Sequence, residues 1–482
     1  MNHNLSERVP QGWWLEDLLL KAGALGVLTV FAMSLIQEPM MLVVSTMFFF
    51  AVLSALVYPI AGVFCIVALT PFESVVSMDF NTVKVLKLIM AGIVCVRLYL
   101  DGRRQSQRER DPYRKVIYWV VAGAVMCTLR ASSPMHSALG IPQVLLFWGL
   151  YLAVCRIQIG ENDYTAILRW LIAVSWPVAV IAILQATGGY TGLMGSREQQ
   201  LIAAQGSFAT FWPSIQRASA TFGSNNAAGA FFASSALAAL LHVLLLPRAR
   251  FLYLLIAFTL LVALSLTFSR GALLGLLAGL LFQVCTIGGP RIRWTVSLSV
   301  LCLSLSLFFF VPVSQVLGYL RVNDDVLSAS ISRVRAWQGA WEMIRQHPVS
   351  GIGFYEFKEG MAALEGDPDA PAHPHNGILK ATVEGGIIGG IVYLWYFTVF
   401  VRSAVTSIKR FSNRPRELWV FSSVAIIGIC LFSQELFDAG LTMGGSSMAI
   451  LFSLLLGLQT NLRNALEAQS PQLDGPSLLL TI

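Results

Sequence analysis

Long apolar runs separated by short charged segments constrain the fold of this chain more than any other feature. Only 12% of its 482 residues are Asp, Glu, Lys or Arg, about half the share that soluble domains carry. A helix that crosses a bilayer needs roughly 20 mostly apolar residues, and many of the runs are close to this length. The pattern predicts an all-α polytopic integral membrane protein, and it excludes an ordinary soluble enzyme and a disordered chain.

Runs bounded by charge, Pro or Gly predict the membrane spans. Fourteen such runs occur, and the short one at 58–72 is either a span or a re-entrant segment, so 12–14 transmembrane helices are expected. The fourteen ranges are 18–36, 40–57, 58–72, 83–100, 116–130, 137–155, 164–186, 225–246, 251–268, 271–287, 294–313, 377–401, 417–433 and 442–459.

Lysine and arginine in short loops orient such a chain, because cytoplasmic loops carry the excess of positive charge. Four basic loops, 101–115, 247–250, 289–293 and 402–416, together hold 15 Lys and Arg residues. With fourteen spans, all four loops lie on one side together with both termini, and this side is predicted to be the cytoplasm. The net charge of +7 reflects this topology, so no nucleic-acid partner is expected.

The same count places two long segments, 187–224 and 314–376, on the opposite, outer face. Within the second, residues 333–345 (RVRAWQGAWEMIR) predict an amphipathic helix that lies on the membrane surface or caps a cavity. Residues 360–376 are rich in Gly, Pro, Ala and Asp and predict an ordered loop or lid. This large extracytoplasmic loop completes the predicted architecture.

Two arginines on the outer face are candidates for binding an anion. Arg270 lies between two apolar runs with almost no loop, where an arginine either faces a polar cavity or an anion, or snorkels to the interface or caps a helix. Arg217 lies in the other long outer segment. Two guanidinium groups match the oxygens of a diphosphate, and Asn225 and Asn226 would add a helix N-terminus directed at the same anion.

His375 is the candidate general base or hydrogen-bond acceptor, with His373 beside it, at the start of the span at 377. The alternative is that both histidines cap or line that helix. Glu384, inside the span, is expected to be paired or to face a cavity. Lys84 and Lys87 either attract an anionic head group or are ordinary interfacial lysines, and the acidic side chains of the last outer loop, Glu435 and Asp438, are expected to be solvated.

The sequence contains no pattern typical of a metal or cofactor site. The seven cysteines form no CxxC pair and no Cys/His cluster, so buried inert thiols are expected. There is no P-loop and no dinucleotide fingerprint. Neither a metal nor a cofactor is therefore predicted.

Four segments together resemble the O-antigen ligase and O-antigen polymerase superfamily (WaaL and Wzy type). They are RASATFGSNNAAGAF, SRGALLG, the stretch RVRAWQGAWEMIRQHPVSGIGFYEF and HPHNGILKATVEGGIIGG, in this order across residues 165–460. The resemblance implies a division into N-terminal membrane helices (1–164), a catalytic membrane region (165–460) with its periplasmic loop (314–376), and a cytoplasmic tail (461–482).

The resemblance implies a C-type glycosyltransferase in the bacterial inner membrane, active at the periplasmic face among membrane lipids. Its donor would be a glycan linked to undecaprenyl diphosphate, held by Arg217 and Arg270. His375 would activate the acceptor hydroxyl, with inversion at the anomeric carbon and without a metal. The pattern needs one His before Asn, so position alone favours His375 over His373.

The acceptor and the exact activity stay open at the level of sequence. A polymerase would extend another glycan, a ligase would use a lipid A core, and a protein O-oligosaccharyltransferase would use a protein side chain. A lipid-linked glycan flippase or another transporter is the alternative from a different class, and a structural assembly subunit is a third. Transporters usually show internal repeats and short loops, and neither is seen here.

Overall fold

The computed structural model describes residues 53, 58–71, 91–97, 111–188, 218–287 and 324–469, except for positions 132, 139, 158, 223, 247, 248, 367–369, 372, 444 and 445. All regular elements in these ranges are helices. Five of them are long and apolar enough to cross a membrane, and three further apolar helices are shorter. The prediction of an all-α polytopic membrane protein is therefore confirmed.

The main helices of the described ranges are numbered here in chain order. They are α1 (Pro59–Leu69), α2 (Arg114–Arg130), α3 (Pro134–Ser137), α4 (Gly140–Arg156), α5 (Glu161–Gly188), α6 (Asn225–Leu245), α7 (Arg250–Thr267), α8 (Arg270–Ile287), α9 (Asp324–Gln346), α10 (Phe357–Glu365), α11 (Gly377–Arg410), α12 (Pro415–Gln434) and α13 (Ser447–Gln469).

Ten of the fourteen predicted spans correspond to helices in the described ranges. The other four (18–36, 40–57, 83–100 and 294–313) lie wholly or largely outside them, so the number of spans stays a prediction. The amphipathic helix predicted at 333–345 is the second half of α9. The loop predicted at 360–376 is wrong in its first part, because α10 continues to Glu365 before Gly366 ends it in the left-handed conformation.

Hydrogen bonds between helix ends define two opposite ends of the bundle. At the first, Ser269 Oγ lies 3.0 Å from Asn226 Oδ1, and the Gly377 amide donates to the Glu435 carbonyl at 2.7 Å. At the second, Arg410 pairs with Glu467 at 2.8 Å, and Tyr151 OH donates to Asp111 at 2.7 Å. The first is called the histidine end below and the second the arginine end.

Helices α6 and α12 form the centre of the bundle and are buried along almost their whole length. Helix α8 packs closely on α12 because Gly271, Gly275 and Gly279, four residues apart, face it. A Cβ at Gly275 would lie 2.6 Å from the Cys430 carbonyl oxygen. Small residues at this spacing let membrane helices approach closely, which holds the N-terminus of α8, and Arg270 with it, against the end of α12.

Helix α11 is broken within its first third, at Gly386 (φ 67°, ψ −170°). The segment 348–353 fills the break: the amides of Ile352 and Gly353 donate to the carbonyls of Val383 and Glu384, and the Ile387 amide donates to the Pro348 carbonyl. Backbone groups at membrane depth need such partners, since lipid offers none. The predicted continuous span at 377–401 is thus two helical halves joined across this segment.

Helix α9 packs against the first half of α11, and only part of its apolar face takes part in this contact. Ala336, Ala340 and Met343 are buried against a small cluster that includes Met361 and Val383. Of the two tryptophans in the predicted amphipathic segment, Trp341 is 62% exposed and Trp337 37%. The exposed aromatic face fits an interfacial position, as predicted for this helix.

Candidate functional site

The turn that follows α12 joins four helix ends at the histidine end. Gln434 Nε2 donates to the Asn226 carbonyl at 2.8 Å, which connects α12 with the start of α6. Gly271 packs against Gln434 and Phe437, so the start of α8 lies on the same turn. Asn376, before α11, donates from Nδ2 to the Leu436 carbonyl at 3.1 Å. Candidate residues far apart in sequence are brought to one place by this turn.

Arg270 is the first residue of α8, and its side chain is exposed at the histidine end. Phe268 adopts a left-handed conformation (φ 50°) that reverses the chain directly after α7. A cation at a helix N-terminus opposes the helix dipole, and the Arg270 guanidinium belongs to the first residue of α8. A negatively charged ligand would be attracted by both the guanidinium and the helix N-terminus.

The two asparagines at the start of α6 are partly engaged in structure. Ser224 caps this helix, and its Oγ accepts from the amides of Asn226 and Ala227 at 3.2 Å each. The side chain and carbonyl of Asn226 bond to Ser269 and Gln434. The backbone amides of Asn226 and Ala227 are therefore already bonded, whereas the Asn225 side chain makes no hydrogen bond to another residue that the structure describes.

Arg217, Lys84 and Lys87 lie outside the described residues. Their predicted roles at the donor diphosphate and at an anionic head group therefore stay predictions.

His373, His375 and Asp438 form one cluster. The two imidazole rings lie 4.1 Å apart, and one ligand-type atom from each of the three side chains lies within 4.8 Å of the others. The Nδ1 atom of His375 is buried and has no hydrogen-bond partner in the described part of the chain. Two histidines and a carboxylate could exchange a proton with a substrate hydroxyl, or could hold a metal ion.

Burial keeps both imidazoles in their neutral form. It lowers the pKa of His375 to about 4, with the neighbouring His373 as the next cause, while Asp438 acts in the opposite direction. The pKa of His373 is lowered as well, mainly by burial, and again Asp438 opposes the shift. At neutral pH each ring therefore offers a lone pair as well as an N–H group.

The loop that carries the histidines is fixed at both sides. Asn376 caps α11, because its Oδ1 accepts from the Leu379 amide at 2.9 Å. Trp337 of α9 donates from Nε1 to the Pro374 carbonyl at 2.8 Å. His375 itself has a left-handed backbone (φ 50°), a strained conformation for a non-glycine residue that is concentrated at functional sites.

Glu435 is not the solvated side chain that the sequence suggested. It is 2% exposed, and its carboxylate accepts from the amides of Leu441 and Thr442 and from the hydroxyls of Tyr393 and Thr442. Glu435 thus fixes the loop 436–443 that carries Asp438. Only the packing of this loop against α11 makes the carboxylate buried, and a local sequence pattern does not show that packing.

A cavity of about 160 Å³ lies beside the cluster, between α2, the start of α4 and α11. Glu384 and Lys380 face it and pair at 3.8 Å. Most of the lining is apolar, and Gly377 and Glu435 connect the cavity to the histidine loop. Lys380 was not identified from the sequence, where a lysine three residues inside an apolar run resembles an interfacial anchor.

Comparison with known proteins finds a family match for the central part of the chain. Residues 255–394 match the O-antigen ligase family, and this stretch includes Arg270, α9, both histidines and the break in α11. No curated protein matches the chain. The match covers 140 of the 482 residues and supports the resemblance to the O-antigen ligase and O-antigen polymerase superfamily.

Proposed function

We propose that this protein transfers a glycan from an undecaprenyl-diphosphate-linked donor onto a hydroxyl of an acceptor at the periplasmic face of the bacterial inner membrane. The transfer would invert the anomeric carbon and use no metal. The activated lipid donor supplies the driving force, since its diphosphate is the leaving group.

The convergence of Arg270 and the His373–His375–Asp438 cluster on the turn after α12 carries this proposal. Transfer from a lipid diphosphate needs a cation at the leaving group and a proton acceptor at the attacking hydroxyl. Arg270 would stabilise the charge that develops on the diphosphate, together with Arg217. A guanidinium suits this task because it stays charged at every working pH.

His375 would receive the hydrogen bond of the attacking hydroxyl through its neutral imidazole. The oxygen attacks the anomeric carbon as the bond to the diphosphate oxygen breaks, and the hydroxyl proton passes to the imidazole. Asp438 would stabilise the imidazolium that forms, as a carboxylate beside a catalytic histidine does. His373 lies against the same ring and limits its position.

Substitution of the arginine proposed at the leaving group and of the histidine proposed as the base tests the proposal. We expect Arg270→Ala and His375→Ala each to lower the rate of glycan transfer in membrane vesicles by on the order of 100-fold, while the protein still inserts. Arg345→Ala is the matched control, because Arg345 is a 69% exposed arginine whose one described ion pair is with Glu342 on the same helix. Transfer at the normal rate in both site variants would overturn the proposal.

Deletion of the gene separates polymerase from ligase. Single repeat units on the acceptor would indicate a lost polymerase, and long chains still on the carrier lipid would indicate a lost ligase. Glycan missing from a protein would indicate a protein O-oligosaccharyltransferase.

The break in α11 is the observation that favours a flippase or other transporter, because transporters bind substrates at unwound helix segments. Here the carbonyls of Val383 and Glu384 and the Ile387 amide are already bonded to residues 348–353. These groups are therefore not available to an ion or substrate, and the break fits a fixed joint better than a transport site. Movement of a labelled lipid-linked glycan across vesicles without transfer would favour the transporter.

A further inference from the structure

The cavity beside the histidine cluster is distinct from the Arg270 side of the site. Arg270 lies where α8 meets the turn after α12, whereas the cavity lies on the α2 and α4 side of α11. Gly377 and Glu435 lie between the cavity and the Arg270 side of the site, next to the histidine loop. A reacting group placed at His375 can thus be approached from two directions.

The shape of the cavity suits an amphipathic ligand. It follows α11 from Gly377 to Tyr393, a length of roughly 24 Å at the helical rise per residue. Its walls include Trp119 and Ile388, which are 57% and 47% exposed on the outside of the bundle. Ile388 belongs to α11, which is long and apolar enough to cross a membrane, so a ligand that enters past this side chain would come from the lipid.

The polar end of the cavity lies next to the histidine loop. Besides Lys380 and Glu384 it contains Tyr355, whose hydroxyl hydrogen-bonds with Gln143 and whose pKa is raised mainly by burial. The tyrosine therefore keeps its proton and can donate a hydrogen bond. Donors and acceptors of this kind recognise the hydroxyl groups of a sugar.

The charge of the lining argues against a diphosphate. One ammonium, Lys380, faces two carboxylates, Glu384 and Glu435, and is already paired with the first at 3.8 Å. A diphosphate would have to displace a carboxylate and would be repelled by both. An uncharged, hydroxyl-rich head group can bond to the ammonium and to the Glu384 carboxylate together.

We propose that this cavity binds the glycan acceptor, and that the acceptor is anchored in the membrane by a hydrocarbon chain whose sugar head lies at Lys380, Glu384 and Tyr355. The inference rests on the proposed function and adds the side from which the acceptor approaches. The donor diphosphate then lies on the Arg270 side, and His375 lies between the two substrates. A volume of about 160 Å³ holds one ring-sized group, which matches a single terminal sugar.

Photolabelling with two probes tests the proposal without requiring transfer. The probes are a dodecyl maltoside and a farnesyl diphosphate, each with a diazirine in its hydrocarbon chain, added to the full-length protein in nanodiscs. We expect the maltoside to label α2 and the first half of α11, and excess unlabelled farnesyl diphosphate not to displace it. Labelling of the same peptides by farnesyl diphosphate, displaced by unlabelled farnesyl diphosphate and not by maltoside, would mean that the cavity holds the donor and would overturn the proposal.

A pair of glycine substitutions makes the test specific to the cavity. A Cβ at Gly123 meets no described atom within 4 Å, and Gly123 lines the cavity, so Gly123→Leu fills the cavity at little steric cost. Gly92 has the same free space and does not line it. We expect Gly123→Leu to lower maltoside labelling at least 10-fold and Gly92→Leu to leave it unchanged. Ile388→Trp, from the opposite wall, provides a second filled variant in case Gly123→Leu does not fold.

The labelling and transfer experiments can contradict the acceptor site and the proposed function separately. Unchanged maltoside labelling in both filled variants would overturn the acceptor site even if Arg270 and His375 prove essential for transfer. Labelling that is lost in the filled variants, together with normal transfer in Arg270→Ala and His375→Ala, would retain a glycolipid site but overturn the proposed function.

Discussion

His373 and His375 lie beside one carboxylate, Asp438, and burial together with these neighbours sets the pKa of His375. Burial and the neighbouring imidazole lower the pKa of His375 to about 4, whereas Asp438 acts to raise it. An imidazole is a proton acceptor only while it is neutral, that is, above its pKa. The low pKa thus extends the active pH range downward, past the value of about 6.5 at which an ordinary histidine becomes charged.

Two substitutions are expected to move the acid limb of the pH–rate profile in opposite directions. His373→Gln removes a cause that lowers the pKa of His375, so the loss of activity on acidification should begin at a higher pH. Asp438→Asn removes the cause that raises it, so the loss should begin at a lower pH, although the maximal rate also falls. Transfer rates measured between pH 4 and 8 check this, and a shift of both variants in the same direction would contradict it.

The same three side chains could hold a metal ion, and chelation decides between the two uses. We expect transfer to be unchanged after dialysis against EDTA and 1,10-phenanthroline, because a neutral imidazole beside Asp438 needs no metal to accept a proton. Loss of activity that is restored by one divalent ion would assign the cluster to metal binding. Asp438→Asn would then also abolish binding of that ion, measured by isothermal titration calorimetry.

At the scale of elements, the joint between residues 348–353 and α11 fixes the wall of the cavity that carries Glu384. Gly351 (φ 65°) and Gly386 (φ 67°) face each other's segments, and a Cβ at either would overlap a backbone carbonyl, that of Glu384 or that of Val349. Only glycine combines this conformation with so close an approach. The HPVSGIG and VEGG segments are thus the two halves of one joint.

Substitution of these glycines should loosen the joint. Gly351→Ala adds a backbone overlap to the cost of an alanine with positive φ, about 1–2 kcal/mol. Gly386→Ala adds one in a conformation (φ 67°, ψ −170°) that is essentially confined to glycine. Both variants should lower the apparent melting temperature in detergent by several degrees. Gly366→Ala is the control, since Gly366 has the same φ sign (69°) and no atom near its Cβ. An equal decrease in all three variants would show that only the conformation matters and that the close approach does not.

The sequence predicts the helices well and the contacts between them poorly. Apolar runs indicate where α5, α6, α7 and α12 lie, because length and hydropathy are local properties. The roles of Lys380, Glu435 and Asp438 depend on which helices pack together, and a single chain does not encode this in any local pattern. The break at Gly386 is also missed, since the run 377–401 contains no proline to mark it and the segment that fills the break lies more than 30 residues upstream.

At the scale of the whole molecule, charge and chemistry are separated between the two ends. The basic segments around Arg114, Arg250 and Arg410 lie at the arginine end, where Arg410 pairs with Glu467. Arg270 and the His373–His375–Asp438 cluster lie at the other end. Because short basic loops face the cytoplasm, this separation supports the proposal that the candidate site faces the periplasm.

Cysteine labelling of intact spheroplasts tests this orientation and one span that lies outside the described residues. In a background without the seven native cysteines, we expect a membrane-impermeant maleimide to label Gly366→Cys directly and Asn413→Cys only after permeabilisation, since both positions are exposed and α11 alone separates them. Gly289→Cys should behave like Asn413→Cys, because the predicted span at 294–313 lies between residues 289 and 366. Labelling of Gly289→Cys and Gly366→Cys from the same side would remove that span and with it the count of fourteen, whereas labelling of Asn413→Cys from outside would invert the whole protein and place the histidine end in the cytoplasm.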